Sequence, residues 1–490
     1  MEEKNIFKIV GTVSKKIKTD VFVVGGFVRD HILKTDFKKD LDFVVDGSGI
    51  EFAKAVAEHV GEEAGTLIEF PDFDTARFVF TETHEDGSKM VLFEIEFAGA
   101  RKESYRSTSR KPQVEKATLE EDLSRRDFTV NAMAQPVLPT GKLGNILDPF
   151  NGQQDIQNKI LRTPLEPSET FSDDPLRMLR AARFAAQLQF TIEKETLAAM
   201  KKNASRLEII SAERIQEELI KLFATAQPSI GLWILVDTEL MEQFLPEVNA
   251  LAGVEEVLGY THKDNLSHTF AVVDNIATFS SAPLLRLAGL LHDIAKPQTK
   301  KFVPGRGWTF DMHDHLGKKM VRDICRRLRI SKKDTEYMAK LVRWHLQPIA
   351  LMDEGITDSA VRRLIVNAGD ELQDLLVLCR SDITTGNQKK KERRLKNYDI
   401  LEKRIAEVME KDKMRAFQSP VRGEEIMQLC GLKPGPTVGK IKEAIEEAIL
   451  EGKIPNEYEA ARNYFETIKS KHLEQAQAWE KTEPFTLCQP

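Results

Sequence analysis

The pattern of apolar residues changes about a third of the way along this chain of 490 residues. Before that point, short strand-like runs at 21–24, 41–45, 77–81 and 90–97 alternate with helical segments and turns. From about Asp173 onward, apolar residues recur at helical spacing and strand signals nearly vanish. The sequence therefore predicts an α+β domain at the amino-terminal end and an all-α remainder.

Composition restricts the class of protein. The net charge of -6 does not favour bulk binding to nucleic acid or to an anionic membrane, so any RNA contact must use local basic patches. The longest apolar stretches, such as Ile230–Val236, are too short to cross a bilayer. The four cysteines lie far apart and form no CxxC pair, which indicates a reducing compartment. We expect a cytoplasmic protein that makes no contact with a membrane.

Gly25 and Gly26 lie where the first predicted strand ends and a helix begins. Glycine lets the backbone approach a phosphate closely, and a helix N-terminus offers free N–H groups. Arg29, in the first helical turn and beside Asp30, is placed to add positive charge. Taken alone, the pattern is equally typical of an ordinary tight turn.

Asp40 and Asp42 are two apart in a predicted strand, so their carboxylates share one face. Two carboxylates this close repel each other unless a cation lies between them, and an oxygen-only ligand set suits Mg²⁺. The alternative is a solvated pair on an edge strand, which the apolar neighbours make less favourable. Glu94 and Glu96 share a face of a second strand, and either would supply the third acid of a two-metal site.

The segment 172–183 predicts a helix capped by Ser172 or Asp173, on which Asp174 and Arg177 are neighbours. A carboxylate only accepts hydrogen bonds and a guanidinium only donates them. Cytosine and adenine each present an amino donor beside a ring-nitrogen acceptor, so this pair suits C and A and rejects G and U. The alternative is a surface ion pair of little energetic value. Two arginines continue the same stripe: Arg180 and Arg183.

Histidine is concentrated in one part of the chain, with six of ten between His262 and His345. His292 and Asp293 interrupt an otherwise apolar helix. A single histidine on such a helix is usually structural, whereas a full set of histidines and carboxylates fits a divalent transition metal or Mg²⁺.

The residues 25–30 (Gly-Gly-Phe-Val-Arg-Asp) and 40–42 (Asp-Leu-Asp) resemble the nucleotidyltransferase head shared by CCA-adding enzymes and bacterial poly(A) polymerases. Agreement of several motifs in one order makes a chance match improbable. The further matching segments are 96–101 (third-acid strand), 122–132 (ribose-binding motif), 148–162 (head–neck hinge), 172–183 (base-reading motif) and 213–219 (last neck motif).

The resemblance implies addition of C, C and A from CTP and ATP to the 3′ end of tRNA, with Mg²⁺ and without a nucleic-acid template. It favours Glu96 over Glu94 as the third acid. Enzymes that add only A or only CC, and poly(A) polymerases, share these motifs. The family's leading Glu is Asp173 here, which leaves Asp174 and Arg177 intact. The implied site comprises Asp40, Asp42 and Glu96 for catalysis, with Gly25, Gly26, Arg29, Asp30, Arg125, Arg126, Asp127, Asn131, Asp174, Arg177, Arg180 and Arg183 for the nucleotide.

The histidine region resembles an HD-type metal phosphohydrolase domain, with His313 and His345 at accessory positions. This resemblance implies a second divalent metal (Mg, Mn, Ni or Fe) and hydrolysis of a phosphodiester. Phosphohydrolysis as the main activity is therefore the rival function, and a catalytically silent RNA-binding protein is a third. The intact carboxylates argue against the third. The implied metal ligands are His268, His292, Asp293 and Asp382.

The segments 419–423 and 432–442 resemble the RNA-binding body of the same enzymes. Proline and glycine indicate a helix–turn–helix, and the N-terminus of its second helix would suit an RNA phosphate. Lys440 and Lys442 follow on that helix, and the basic run 388–394 forms a second positive patch. The RNA-binding candidates are Lys389, Lys390, Arg393, Arg394, Lys440 and Lys442.

The expected architecture is thus an α+β head with a palm-like mixed sheet, then a helical neck, an HD-type helical domain and a helical tail. We expect the head at 1–163, the neck at 164–230, the HD-type domain at 231–387 and the RNA-binding tail at 388–490.

Overall fold

In the computed structural model, the chain is described over residues 3–35, 40–83, 89–104, 113–257, 260–261, 264–352, 357–412 and 419–481. Two units separate. The first comprises 1–250 with 327–330, and the second comprises 251–326 with 331–490. Within the described ranges, no helix has both the length and the apolarity needed to span a membrane.

A mixed β-sheet forms the centre of the first unit. Six of the strands of the head form this sheet, and the others belong to two-stranded pairs. In chain order, the strands are β1 (Val21–Val24), β2 (Asp40–Val45), β3 (Gly65–Phe70), β4 (Thr75–Thr83), β5 (Lys89–Gly99), β6 (Arg101–Ser104), β7 (Gln113–Lys116), β8 (Ala134–Pro136) and β9 (Ile160–Leu161). The six-stranded order is β3-β4-β5-β2-β1-β8. β2 and β5 run parallel, and the other neighbours are antiparallel. The four predicted strands are confirmed as β1, β2, β4 and β5, and the two edge strands were not predicted.

Aromatic side chains hold the sheet against the helices of the head. Phe43 of β2 stacks on Phe97 of β5 with ring centroids 5.1 Å apart, and Phe97 contacts Phe52 at 5.0 Å. Because side chains alternate along a strand, burial of Phe43 leaves Asp40 and Asp42 on the opposite, exposed face. The head helices are α1 (Glu3–Ile17), α2 (Gly26–Leu33), α3 (Gly49–Val60), α4 (Leu119–Ser124) and α5 (Gly152–Asn158).

Beyond the head, the first unit continues as helices, as predicted, and these helices extend past the expected end of the neck at residue 230. Its apolar positions face one another between neighbouring helices, and a short strand, β10 (Thr191–Ile192), pairs in parallel with β9. The helices are α6 (Pro167–Asp173), α7 (Leu176–Leu188), α8 (Lys194–Lys202), α9 (Ala212–Phe223), α10 (Ser229–Asp237), α11 (Leu240–Phe244) and α12 (Pro246–Asn249).

The predicted cap of the base-reading helix was wrong. Ser172 and Asp173 belong to the preceding helix α6, and Asp174 has an extended backbone with φ -136° and ψ 97°. A proline disfavours helical geometry in the residue before it, and Pro175 follows Asp174 directly. Asp174 lies before the start of α7, and its Oδ1 accepts a hydrogen bond from the Leu176 N–H at 3.2 Å.

The second unit is mainly helical. Its short hairpin strands are β11 (Glu256–Val257), β12 (Tyr260–Thr261), β13 (Lys301–Val303) and β14 (Gly307–Thr309). Its helices are α13 (Asn265–Phe279), α14 (Pro283–Leu291), α15 (Lys296–Thr299), α16 (His313–Arg327), α17 (Lys332–Trp344), α18 (Gln347–Ala350), α19 (Asp358–Ala368), α20 (Leu372–Ser381), α21 (Gln388–Asp412), α22 (Gly423–Cys430), α23 (Pro436–Leu450) and α24 (Tyr458–Glu474).

The basic run at 388–394 forms the first turns of α21, a helix of 25 residues. Tyr398, Leu401 and Ile405 of this helix are buried, and α21 packs against α19 and α20. Further along, α22 and α23 form the predicted helix–turn–helix, with the turn beginning at Gly431 in the left-handed region at φ 59°.

Candidate active site and metal cluster

A cleft of about 570 Å³ opens above the exposed face of β2 in the first unit. Every residue predicted for catalysis or nucleotide binding lines it, although these residues come from five separate segments of the chain. They are Gly25, Gly26, Arg29, Asp30, Asp40, Asp42, Glu96, Arg125, Arg126, Asp127, Asn131, Asp174, Arg177, Arg180 and Arg183.

The turn between β1 and α2 favours glycine at position 25 through its backbone conformation. Gly25 has φ 71°, which favours a residue without Cβ. In addition, a Cβ at this position would lie 3.0 Å from Nη1 of Arg126. The turn therefore brings backbone and a guanidinium together at one end of the cleft, as expected of a site for an anionic ligand.

The parallel register of β2 and β5 arranges the acids. Asp42 lies opposite Glu96, and Asp40 lies opposite Glu94. Glu96 lines the cleft with both aspartates, whereas Glu94 is absent from its lining. Arg77 reaches both glutamates, with Nη2 3.1 Å from Glu96 and Nη1 3.5 Å from Glu94. The geometry favours Glu96 as the third acid.

Asp42 is held in an environment that disfavours its charge. The Asp42 side chain is exposed toward the cleft, but the protein atoms around its carboxyl group desolvate it. The nearby charge of Asp40 also disfavours the ionised form. Together these influences raise the pKa of Asp42 to about 6, against the opposing charge of Arg126. Asp40, Asp42 and Glu96 therefore form an oxygen-only set that suits a divalent cation, with Arg77 and Arg126 neutralising part of its charge.

Arg29 is buried and held in place by side chains of the head and of α7. Its Nη1 donates to Oδ1 of Asn131 at 2.6 Å, and its Nε donates to Oδ1 of Asp30 at 2.8 Å. Its guanidinium carbon lies 5.2 Å from the ring centroid of Phe184. Arg29 thus contributes charge to the cleft from a fixed position, and it also orients Asn131.

Asp122 orients two arginines of the cleft and was not among the predicted site residues. Its side chain is fully buried and lies 2.7 Å from Arg125 Nη2 and 3.2 Å from Arg126 Nη2. Burial alone would raise the pKa of Asp122, but the two guanidinium groups outweigh it and lower that pKa. The only sequence signal was its place at the start of the segment 122–132.

Asp127 connects the ribose-binding segment to the base-reading helix. It accepts two hydrogen bonds from Arg180 at 2.9 and 2.6 Å and one from Nδ2 of Asn131 at 3.0 Å. Burial opposes its charge, yet Arg180 and Asn131 lower the pKa of Asp127 to about 2. Glu218 extends the network, since its Oε2 accepts from Nε of Arg183 at 2.6 Å. Arg180 and Arg183 are therefore already ion-paired within the wall of the cleft.

Replacing Asp127 by asparagine is expected to destabilise the first unit by about 3 kcal/mol, because the buried Arg180 pair is broken. The pKa of Asp127 is lowered from 3.8 to about 2, so its contribution is present above about pH 4 and is lost as pH falls toward 2. Urea unfolding at pH 7 measures the loss, with the exposed Asp72→Asn as control. Equal unfolding midpoints for the two variants at pH 7 would contradict the assignment.

Asp174 and Arg177 both face the cleft, but each is held by other groups. Oδ2 of Asp174 accepts from Nη2 of Arg214 at 3.0 Å. Nη2 of Arg177 donates to the carbonyl oxygen of Arg125 at 2.6 Å. Both side chains keep spare hydrogen-bonding capacity, since a carboxylate offers about four acceptor sites and a guanidinium five donors. Arg214 was missed as a site residue, although it lies in the segment 213–219.

The second unit contains a compact cluster of histidines and aspartates. Nε2 of His268 lies 2.9 Å from Oδ1 of Asp382, and Nε2 of His292 lies 3.1 Å from Oδ2 of Asp293. The four predicted ligands therefore come together, from α13, the end of α14 and the end of α20. His313 also reaches this cluster, with Nε2 3.3 Å from Oδ1 of Asp293. These side chains are a candidate group for holding a divalent metal.

Opposite charges set the protonation of this cluster. Burial alone would lower the pKa of His292, but the Asp293 carboxylate outweighs it and raises that pKa to about 10. Burial alone would raise the pKa of Asp293 and of Asp382. The charge of His292 outweighs burial at Asp293 and lowers its pKa. At Asp382, the hydrogen bond from His268 and then His292 lower the pKa. Burial, followed by the charge of His292, lowers the pKa of His345 to about 4. Positive charge from His292 and from Lys296, whose Nζ lies 2.5 Å from Oδ2 of Asp293, therefore stabilises the ionised carboxylates of the cluster.

The tail presents the predicted cations at the surface. Lys440 and Lys442 are exposed on α23. However, the prediction that the N-terminus of α23 is available to an RNA phosphate was wrong. The Glu480 carboxylate occupies it, accepting from the N–H of Thr437 at 2.8 Å and from its hydroxyl at 2.9 Å. The cations exposed on α21 are Lys389, Lys390, Arg393 and Arg394.

The fold and the cleft define a nucleotidyltransferase, and comparison with known proteins gives its family. Residues 21–162 match the poly(A) polymerase head domain, 189–251 match the probable RNA and SrmB-binding site of polymerase A, and 265–409 match the HD domain. The fold is similar to that of the Bacillus stearothermophilus CCA-adding enzyme in complex with CTP, with TM-score 0.64, 21% identity and coverage of 97% of this chain and 100% of that chain.

Two curated relatives are similar in sequence. A multifunctional CCA protein of Vibrio campbellii is 31% identical over 373 residues, which span 74% of this chain and 84% of that protein. An A-adding tRNA nucleotidyltransferase of Deinococcus radiodurans is 33% identical over 353 residues, which span 70% and 78%. The chain belongs to the family of tRNA nucleotidyltransferases that includes the multifunctional CCA proteins.

Proposed function

We propose that this enzyme adds C, C and A, from CTP and ATP, to the 3′ end of tRNA in the cytoplasm. One observation carries the proposal: Asp40, Asp42 and Glu96 share a single cleft with Asp174 and Arg177. The acids are suited to nucleotidyl transfer and the pair to selection of the base. One cleft therefore combines the chemistry with the choice of nucleotide.

Asp40 and Asp42 hold Mg²⁺ in this proposal. Their oxygen-only chemistry fits that ion, and a cation between them would offset the desolvation and the Asp40 charge that raise the pKa of Asp42. When bound, Mg²⁺ lowers the barrier by favouring an ionised attacking hydroxyl and by neutralising charge on the pyrophosphate. Glu96, opposite Asp42, assists activation of the tRNA 3′-hydroxyl. That oxygen bonds to the α-phosphorus as the bond to pyrophosphate breaks.

The positive wall of the cleft binds the rest of the nucleotide. The Gly25–Gly26 turn, Arg29 and Arg126 receive the triphosphate. Asp127 and Asn131, locked together at 3.0 Å, address the ribose. The fixed positions of these groups matter because a positioned reactant avoids much of the entropic cost of reaction.

Asp174 and Arg177 select the base. Asp174 accepts a hydrogen bond from the exocyclic amino group that cytosine and adenine share, and Arg177 donates to the adjacent ring nitrogen. Uracil and guanine present a carbonyl and an N–H instead, so each would leave an unpaired group against the protein. Leaving a buried polar group unpaired costs about 1–3 kcal/mol.

The product is tested with three transcripts of one tRNA, ending before CCA, after CC, and after CCA. We expect two C residues and one A on the first, one A on the second and nothing on the third. Addition only to the second transcript would show that this enzyme adds A alone, which is the activity that the name of the Deinococcus radiodurans relative gives. Long A tails on unrelated RNA would assign a poly(A) polymerase. Either of these results would overturn the CCA proposal.

The tRNA backbone crosses the exposed cations of α21 and α23 in this proposal. Lys389 and Arg393 lie on α21, and Lys440 lies on α23, in the second unit. Binding through these cations weakens as the salt concentration rises, with a slope set by the number of phosphates contacted.

A second activity, hydrolysis of a phosphodiester, is proposed for the histidine cluster. The observation that favours it is the close approach of His268, His292 and Asp382, with Oδ2 of Asp293 3.1 Å from Nε2 of His292. Nitrogen and carboxylate ligands together suit Mn, Ni or Fe, and also admit Mg. The two activities separate experimentally, since loss of Asp40 and Asp42 should abolish incorporation and spare hydrolysis.

A further inference from the structure

The face of the sheet that carries the catalytic acids continues across two more strands. Residues paired directly between neighbouring strands lie on the same face. The register therefore gives one row across β2, β5, β4 and β3: Asp42, Glu96, Arg77 and Ile68. Neighbouring strands lie about 4.8 Å apart, so the row runs roughly 14 Å from Asp42 to Ile68. Its far end lies on the side of the acids away from β1.

Apolar side chains are exposed at that far end. Ile68, Phe70 and Phe73 are 43%, 40% and 39% exposed, and we call these three residues the apolar face. Phe70 shares the side of Ile68, two residues along β3. Its row leads back through Thr75 to Ala98, which lines the cleft. An exposed apolar patch bordered by polar groups marks a binding surface, and this one is continuous with the cleft.

Two arginines lie between the apolar face and the catalytic acids. Nη1 of Arg101, a residue of the cleft lining, donates to the carbonyl oxygen of Phe73 at 2.7 Å and to the hydroxyl of Thr75 at 2.8 Å. The guanidinium carbon of Arg101 lies 5.8 Å from the ring centroid of Phe73. Arg77 is paired with Glu96 but remains partly exposed. Positive charge and apolar surface therefore lie side by side, as a nucleotide requires.

The order of the strands places this surface opposite the triphosphate. In the proposed reaction, the triphosphate lies at the Gly25–Gly26 turn and Arg29, on the β1 side of the acids. The attacking hydroxyl and the leaving pyrophosphate lie in line on opposite sides of the α-phosphorus. The order β3-β4-β5-β2-β1-β8 puts β4 and β3 on the side of the hydroxyl. The RNA that carries the hydroxyl therefore lies toward the apolar face.

We propose that the apolar face binds the terminal base of the tRNA that accepts the next nucleotide, with the charge of Arg101 and Arg77 beside its phosphate. This inference rests on the proposed function. Stacking on aromatic and apolar side chains accepts any base, because every base has a π-face. The proposed function requires such tolerance, since the acceptor ends in the body of the tRNA before the first addition and in C afterwards. The acceptor end is thus held by stacking, whereas the incoming base is selected by hydrogen bonds.

The test removes each partner of the stack in turn. One partner is removed in the full chain carrying Ile68→Ser and Phe70→Ser, and the other in a tRNA transcript, ending before CCA, whose last nucleotide lacks its base. The quantity measured is kcat/KM for tRNA at saturating CTP. We expect either change alone to lower it about ten-fold. Both together should lower it no further, because they remove the same contact. Losses that multiply, or no loss in the variant, would overturn the proposal.

The matched control replaces two exposed apolar residues of the same unit that do not line the cleft. Leu138 and Leu147 are each 41% exposed, and Leu138→Ser with Leu147→Ser should keep both the rate and the sensitivity to the missing base. The KM for CTP should be unchanged in both variants, and circular dichroism checks their folding. If Ile68→Ser with Phe70→Ser kept the rate but converted a dimer into a monomer in gel filtration, the apolar face would bind a second copy of this chain instead.

Photochemical cross-linking locates the acceptor end on the unaltered chain. A transcript with 4-thiouridine as its last nucleotide is irradiated in complex with the protein, and the attached tryptic peptide is identified by mass spectrometry. We expect attachment within residues 55–77, at one of the three positions of the apolar face. Attachment only to other peptides would overturn the proposal. Because cross-linking needs no catalysis, it gives this answer even if the unaltered chain adds no nucleotide to tRNA, which is the separate failure of the proposed function.

Discussion

Replacing Asp42 by asparagine is expected to reduce nucleotide incorporation about a thousand-fold, since losing a ligand of a catalytic metal removes several kcal/mol of transition-state stabilisation. The fold should survive, because burial already disfavours the charge of Asp42 and raises its pKa to about 6. The measurement is the initial rate of labelled CMP addition to tRNA at saturating CTP and Mg²⁺, with unfolding by urea followed in parallel.

The matched control is Glu94→Gln. Glu94 lies opposite Asp40 in the same sheet and contacts Arg77, but it does not line the cleft. Its replacement should change the rate less than about ten-fold, which corresponds to 1.4 kcal/mol. If Glu94→Gln lost as much activity as Asp42→Asn while Glu96→Gln retained it, the third acid would be Glu94.

Replacing Arg177 by alanine is expected to relax the choice of nucleotide. The discrimination of CTP and ATP against UTP and GTP should fall on the order of 10- to 100-fold, the range of about 1–3 kcal/mol for a bidentate base contact. Asp174→Ala should have the same effect, because each residue supplies one half of the pattern. The quantity to measure is kcat/KM for each of the four nucleotides on one tRNA.

Arg214→Ala separates positioning from contact. Arg214 holds Oδ2 of Asp174 at 3.0 Å, so its loss should weaken discrimination in the same direction but less than loss of Asp174 itself. Lys202→Ala, an exposed cation on α8, serves as the neutral control. Unchanged nucleotide preference in both Asp174→Ala and Arg177→Ala would remove the base-reading role.

The catalytic strand was predictable because it depends on a local rule. Alternation along a strand determines that Asp40 and Asp42 share a face. The same rule gives Glu94 and Glu96 one face, so spacing alone did not separate them. Only the parallel register of β2 and β5, a long-range property, places Glu96 beside Asp42.

Other features were missed because their partners are distant in sequence. Asp174 pairs with Arg214, 40 residues later, and Thr437 at the start of α23 binds Glu480, 43 residues later. Neither spacing corresponds to a local pattern. The wrong cap at Ser172 or Asp173 has a local cause instead. Pro175 disfavours helical geometry in Asp174, so the sequence already indicated that the helix begins after this residue.

Transfer of the α-phosphate to tRNA tests the central claim most directly. A tRNA transcript ending before CCA is incubated with Mg²⁺ and CTP labelled either at the α- or at the γ-phosphate, using the unaltered chain and Asp42→Asn. The account predicts that α-label enters the tRNA, that γ-label leaves as pyrophosphate, and that Asp42→Asn nearly abolishes both. Label from the γ-phosphate in the tRNA, or unchanged α-label incorporation by Asp42→Asn, would contradict it.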